Sequence, residues 1–209
     1  MFKRRHPKTY LRIASDIFYP RGGWSRAVSY IFHRLRRLPD PPHRIARGIA
    51  AGVFVCFSPL FGMHFFLAAL IAWAMQGNVV AALLATFFGN PVTFPIIAAV
   101  SLELGHLMLG MPHMVPLSDV FHAFTDASAQ LWANFTAVFT DEVAHWDRLR
   151  HFFRSVFWPY FVGGLVPGVV CGVIAYVIAR PAVAAYQKAR IKRLKMKYQK
   201  RRAAGLSKG

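Results

Sequence analysis

The sequence predicts an all-α integral membrane protein with proline-broken, re-entrant helices and amphipathic helices at its surface. Three observations predict it. Apolar blocks at 48–75, 79–109 and 157–179 contain none of the chain's 26 Lys and Arg, although the formal net charge is +18. Two of these blocks are interrupted by proline near their middle. Hydrophobic residues make up 56% of the 209, and the mean hydropathy is positive. A cation at the centre of a bilayer costs roughly 2.5–3.5 kcal/mol on insertion scales, which explains the sorting. A soluble basic protein has no such reason to segregate its charges.

Residues 1–47 form a basic cytoplasmic segment with twelve Lys or Arg. Within it Trp24, Val28, Ile31, Phe32, Leu35 and Leu38 recur at helical spacing. Arg26, His33, Arg34, Arg36 and Arg37 fill much of the remaining surface. That pattern is an amphipathic helix suited to an anionic membrane surface. Pro39-Asp-Pro-Pro42 ends it, because proline removes a donor and restrains the residue before it. No apolar stretch follows the charged start until residue 48, and that stretch is too long for a secretory signal. The first block is therefore expected to act as an uncleaved insertion signal.

Residues 48–109 are expected to be paired broken membrane helices. The first block has 28 residues and is interrupted at Ser58-Pro59 and Gly62. The second has 31 and is interrupted at Gly89-Asn90-Pro91, with Pro95 beyond. A straight span needs about 20 residues, so each arm alone is short. Gln76-Gly77-Asn78 joins the blocks closely enough to make them antiparallel neighbours.

Residues 110–156 read as an amphipathic helical insertion, one long helix or two with a break near Thr140-Asp141. Leu117, Phe121, Phe124, Leu131, Phe135, Val138, Trp146, Leu149, Phe153 and Val156 form its apolar stripe. Asp119, Asp126, Gln130, Asn134, Asp141, Asp147 and Arg148 fall on the opposite face. The stripe is expected to pack the insertion as a lid on the membrane domain, with partner recruitment as the competing reading. Residues 157–179 form the third membrane segment. The basic cytoplasmic tail, 180–209, has eleven Lys or Arg and no acid, with Ile191, Leu194 and Tyr198 in helical step.

Cationic termini place both chain ends in the cytoplasm of a multi-pass protein. That requires an even number of crossings from three blocks. Either block two is re-entrant and the insertion lies outside, or blocks one and two cross and block three folds back. Arg148, Arg150 and Arg154 favour the second arrangement, and the acids across 110–147 the first.

The two breaks supply the candidate site. Ser58, Pro59, Gly62 and His64 form one; Asn90, Pro91, Thr93 and Pro95 form the other. Proline frees carbonyls that need partners in a dry medium, and paired broken helices point to a substrate site. Half-helix N-termini there attract an anion. A structural kink packed against neighbours is the competing explanation. Glu103 is the one acid inside the blocks, with His106 at i+3; the pair suggests proton or substrate handling. The alternative puts Glu103 at headgroup depth. Cys56 and Cys171 read as small buried hydrophobes. No phosphate loop, serine elbow or paired-cysteine pattern is present, so neither enzyme activity, a metal nor another cofactor is expected.

Residues 44–95 carry an ARG-x3-G start (46–52), a Pro-x2-Gly break (59–62), a polar-Gly-Asn link (76–78) and an Asn-Pro-x-Thr-x-Pro break (90–95). In these the chain resembles the bacterial membrane family called domain of unknown function 2062, across about 44–180. The resemblance implies a small inner-membrane protein without an established activity. It carries over Gly52, Pro59, Gly62, Asn78, Asn90, Pro91, Thr93 and Pro95 without assigned roles. Relatives that join this domain to a glycosyltransferase imply envelope polysaccharide or lipid-carrier work.

The expected function is transport or lipid-carrier translocation in envelope biogenesis; the alternative is a non-catalytic scaffold docking envelope enzymes. Expected partners are the lipid bilayer with its anionic lipids, an anionic or lipid-linked substrate, and further copies of the chain in a homo-oligomer. Nucleic acid is not expected, since topogenic charge and lipid attraction explain the cationic ends.

Overall fold

The computed structural model describes residues 23–36, 38–111, 117–137, 139 and 145–206. Every regular element among them is helical. They fall into two compact units, one comprising 42–181 and the other the flanking segments up to 41 and from 182.

In the flanking unit, α1 (Gly23–Arg36) exposes Arg26, His33 and Arg34 and half-buries Ile31 and Leu35, as amphipathic spacing requires. Trp24, Val28, Phe32 and Arg36 have side chains outside the described set. The tail is helical to Leu206, and Ile191, Leu194 and Tyr198 are all exposed. Gln187 Nε2 donates to the Asp40 carbonyl at 2.9 Å.

In the 42–181 unit, α2 runs Pro42–Val55, so it begins earlier than the apolar block at 48. The proline run both ends α1 and starts α2, because proline suits a first helical turn whose N–H groups have no intrahelical partners. The helix α3 (His64–Ala74) returns alongside it. Then come α4 (Val79–Ala85), extended by a 3₁₀ turn at Thr86–Phe88, and α5 (Thr93–Met108). The axes on either side of the second break differ by 87°. The insertion forms α6 (Leu117–Ala137) and α7 (Asp147–Phe152). A π-helical turn at Phe153–Phe157 leads into α8 (Trp158–Leu206). The expected break at Thr140-Asp141 lies outside the described residues. The π turn has a covalent cause. Pro159 has no N–H to donate, and the Trp158 N–H bonds to the Phe153 carbonyl, five residues back.

Glycine determines how these helices meet. A β-carbon on Gly48 would overlap the Asn78 carbonyl oxygen, and one on Gly52 the Ala82 carbonyl oxygen. These two glycines are four residues apart on one face of α2. They let α4, with its buried Ala81, Ala82 and Ala85, lie against the α2 backbone. On another side of α2, Gly164 meets the Phe57 carbonyl, Gly168 meets Phe54 and Phe57, and Gly172 approaches the Ala50 carbonyl. Rising sequence number in α8 thus matches falling number in α2, so the two are antiparallel. A third crossing brings Gly105 of α5 against the Pro159 carbonyl and Gly163 against the Ser101 carbonyl.

The ends of block one are tied together. Arg47 Nη1 donates to the Met75 carbonyl at 2.8 Å, and Arg44 Nε to the Gln76 carbonyl at 3.2 Å. The Asn78 N–H donates to the Arg44 carbonyl at 2.8 Å, and Asn78 Oδ1 caps α4 by accepting from the Ala81 N–H at 2.7 Å. Block one is therefore a closed hairpin. The hydrogen bonds that close it, two of them from arginine side chains, are ones that hydropathy does not register.

The insertion also packs differently from expectation. On α6, Ala127, Gln130 and Asn134 are buried, whereas Leu131, Trp132 and Phe135 are exposed. Trp146 and Phe153 are exposed too; Leu149 is half-buried and Val156 is buried. Ala127 joins Leu102, Phe152, Val156 and Tyr160 in one apolar cluster. Much of the expected stripe is thus turned outward, and Gln130 and Asn134 are turned inward. Leu117, Asp119, Phe121, Phe124, Val138 and Asp141 have side chains outside the described set. Gln130 and Asn134 are buried because they bind backbone. Asn134 pairs with the His145 carbonyl and N–H at 2.6 and 3.0 Å, and Gln130 Oε1 accepts the Leu149 N–H at 2.6 Å.

Gly52→Leu should lower the melting temperature of the detergent-purified protein more than Gly62→Ala does. The first forces overpacking against a backbone carbonyl, about 1–3 kcal/mol or more. The second meets no atom within 4 Å and adds only the strain of φ +86°, about 1–2 kcal/mol. Equal melting temperatures for the two variants would contradict the packing described.

Candidate functional site

The first break joins α2 to α3. The end of α2 tightens, with Phe57 and Ser58 N–H groups bonding three residues back. Pro59 is buried, and Gly62 takes the left-handed conformation at φ +86°. His64 is buried, and its Nε2 donates back across the break to the Ser58 carbonyl at 3.2 Å. That bond satisfies a carbonyl that the interrupted helix leaves without its usual partner.

The second break is a self-contained hydrogen-bonded turn. Asn90 Oδ1 accepts the N–H groups of Val92 and Thr93 at 2.9 and 3.1 Å. Thr93 Oγ1 accepts the Asn90 N–H at 2.9 Å and donates to the Phe88 carbonyl at 2.6 Å. Pro91 is exposed and, lacking an N–H, adds no donor to be satisfied; Pro95 is half-buried in the first turn of α5. The Asn-Pro-x-Thr spacing thus works as a reciprocal helix cap. It accounts for an 87° bend in apolar sequence, because both side chains are engaged in turning the chain.

The breaks do face each other, but rings rather than polar groups meet. The Phe61 ring lies 5.4 Å from Phe94, 5.6 Å from His64 and 6.2 Å from Tyr160, each edge to face. His64 and Phe94 are 5.8 Å apart. Ser58 and His64 are brought together, as are Asn90 and Thr93. Glu103 is exposed on α5, while His106 is buried with its Nδ1 donating to the Leu102 carbonyl of the same helix at 2.8 Å. His106 is therefore tied to backbone.

Sequence reasoning missed the hydroxyls of Ser101 and Tyr160. Both residues are fully buried, and these hydroxyls and Ser58 Oγ have no protein hydrogen-bond partner. The signal was the Gly163-Gly164 pair, which lets α8 approach Ser101 and Phe57. It also missed Arg44 and Arg47; the place of Arg47 within the ARG-x3-G start is explained by the Met75 carbonyl it holds, and Arg44, just before that start, holds the Gln76 carbonyl. Cys56 and Cys171 are free thiols; Cys56 is buried and its Sγ donates to the Gly52 carbonyl at 3.2 Å. Among the described residues, no group of three His, Cys, Asp or Glu is placed to hold a metal ion.

The sequence that builds this helical unit matches a bacterial protein family. The description of an uncharacterized protein conserved in bacteria, domain of unknown function 2062, fits residues 25–192. The chain belongs to that family. The match takes in α1, the insertion and part of the basic tail as well as the breaks. No curated protein and no solved structure matches the chain.

Asn90→Ala should cost about 1–2 kcal/mol through loss of the cap. Thr93→Val should cost a similar amount, and the double variant less than the sum, because both belong to one turn. Glu103→Gln, at an exposed position, should stay within about 0.5 kcal/mol of the parent. Chemical unfolding in detergent checks all three; additive Asn90 and Thr93 losses would contradict a shared turn.

Proposed function

We propose that this is a non-enzymatic integral protein of the bacterial inner membrane that handles lipid within the bilayer during envelope biogenesis. The observation that carries the membrane reading is the apolar surface of the 42–181 unit. Phe66, Trp73, Val92, Ile96, Leu107 and Ile178 are each more than 60% exposed. Only 22% of the apolar window in the helix leading through α8 is buried, whereas a soluble core helix is mostly buried. Water penalises such a surface, and hydrocarbon does not.

Two further features support this placement. Arg44, Arg47 and Arg180 lie at one end of the unit, and Trp158 begins α8 at the other. From Trp158 to Arg180 the helix rise is about 33 Å, close to a hydrocarbon thickness of about 30 Å. The separation matches the aromatic and cationic preferences of membrane interfaces. In this reading block one is a re-entrant hairpin, block two crosses with a right-angle bend, and α8 crosses back. Two crossings put both cationic chain ends on the cytoplasmic side. Lipid handling, rather than passage of a solute, is supported by the breaks: their Asn, Thr and His groups are engaged in their own turns, and aromatic rings fill the space between. The exposed Trp132, Phe135 and Phe139, whose rings contact one another in turn, favour a scaffold as second reading.

Single cysteines in a Cys56→Ser, Cys171→Ala background test the placement. Gln76→Cys should react with an impermeant maleimide only from the cytoplasmic side, and Phe139→Cys only from the opposite side. Labelling of both from one side would defeat this topology.

A further inference from the structure

A groove lies over α2, between α3 and α8. Its wider part, about 450 Å³, is lined by Arg47, Ala50, Ala51, Met75, Val173 and Tyr176 among others. A second cavity of about 180 Å³ shares Phe54 and Ile71 with it and reaches Ser58. The two therefore form successive compartments along one face of α2. From Arg47 to Val55 they follow about 12 Å of helix. Ala50 and Ala51 keep the floor low, and Met75, Val173 and Tyr176 stand as walls. Val169 and Val173 are both lining residues and more than half exposed, so the groove opens on the apolar surface of the unit.

Charge in this groove has one sign. Arg47 is its sole charged lining residue, and the Met75 carbonyl holds it at the mouth. A guanidinium has five N–H donors, and that bond engages one. Arg44 and Arg180 stand at the same end, and no acid occurs in α2, in α3 or in α8 as far as 181. An apolar trough with a cation at its end complements an amphiphile whose head is an anion. Because the trough opens sideways onto surface read as lipid-facing, a tail can enter it while its headgroup stays at the depth of the arginines.

We propose that this groove holds one hydrocarbon chain of an anionic phospholipid from the surrounding bilayer, with the phosphate at Arg47. The proposal rests on the membrane reading above and names the class of lipid handled. The full chain is reconstituted in nanodiscs of equal phosphatidylglycerol and phosphatidylethanolamine, re-extracted in detergent, and its retained lipid quantified by mass spectrometry. Phosphatidylglycerol should be retained about fivefold over phosphatidylethanolamine, the factor that one interfacial cation supplies. Arg47→Gln should bring the two to parity. Val173→Trp, which fills the groove from an exposed position, should lower the total retained lipid. Val170→Trp, exposed but outside the lining, should leave it unchanged.

Equal retention of both lipids by the parent chain, an unchanged ratio in Arg47→Gln, or equal effects of the two tryptophans would overturn the proposal. Displacement of phosphatidylglycerol by equimolar polyprenyl phosphate would overturn the phospholipid as occupant. Resistance to alkaline extraction is measured on the same chain from native membranes. Release of the parent chain by alkali defeats the membrane reading itself; a firmly inserted chain without lipid preference defeats only the groove.

Discussion

Backbone-to-backbone approach at glycine is the constraint on which the 42–181 unit depends. In the membrane setting proposed above, helices gain nothing by hiding apolar side chains from lipid, so association relies on close packing and on polar contacts. Here α2 is the central element. Its Gly48 and Gly52 admit the carbonyls of Asn78 and Ala82 on one face, while Phe57 and Ala50 present theirs to Gly164 and Gly172 of α8 on another. No flexible side chain separates these surfaces, so one added methyl group would push against main chain. Bulky residues are consequently displaced to the outside, where Phe65, Phe66 and Trp73 stand exposed on α3.

Close packing of this kind leaves little freedom in the connections. The hairpin must close within Gln76-Gly77-Asn78, and Gln76 adopts a positive φ of 52° to do so. Arg44 and Arg47 reach from the start of α2 to the last carbonyls of the returning chain, joining a cation to a helix C-terminus as the helix dipole favours. The same arginine that closes the hairpin stands at the mouth of the groove. Fold and proposed ligand contact therefore share one residue, and so do the glycine crossing and one groove wall at Gly172.

The breaks were legible as breaks, but their chemistry was not. Asn90 and Thr93 were recognisable as polar groups beside proline in apolar sequence. Whether their atoms point into a shared cavity or into their own turn depends on dihedral angles, and here they cap α5. His106 likewise binds the Leu102 carbonyl one turn back while Glu103 is exposed, although three-residue spacing alone brings them near each other. The insertion gives a sharper case. Its periodicity located a helix correctly, yet the small and amide-bearing face is buried and the aromatic face is not. A hydrophobic stripe marks the inner face only when apolar packing decides it; here Gln130 and Asn134 turn inward because they bind backbone groups of the following segment.

Taken alone, the order of residues determined the helical class, the family, the cation-free blocks and the positions where they must bend. Those properties follow from local chemistry: side-chain transfer energy, the missing proline donor and the conformational range of glycine. Tertiary structure decided that block one is the hairpin, that aromatic rings fill the space between the breaks, and that Ala127 rather than Phe135 packs inward. Those outcomes depend on which carbonyl meets which glycine, between residues as distant in sequence as Phe57 and Gly164. No local pattern encodes such a pairing, because the energy that selects it exists only once both backbones are in contact.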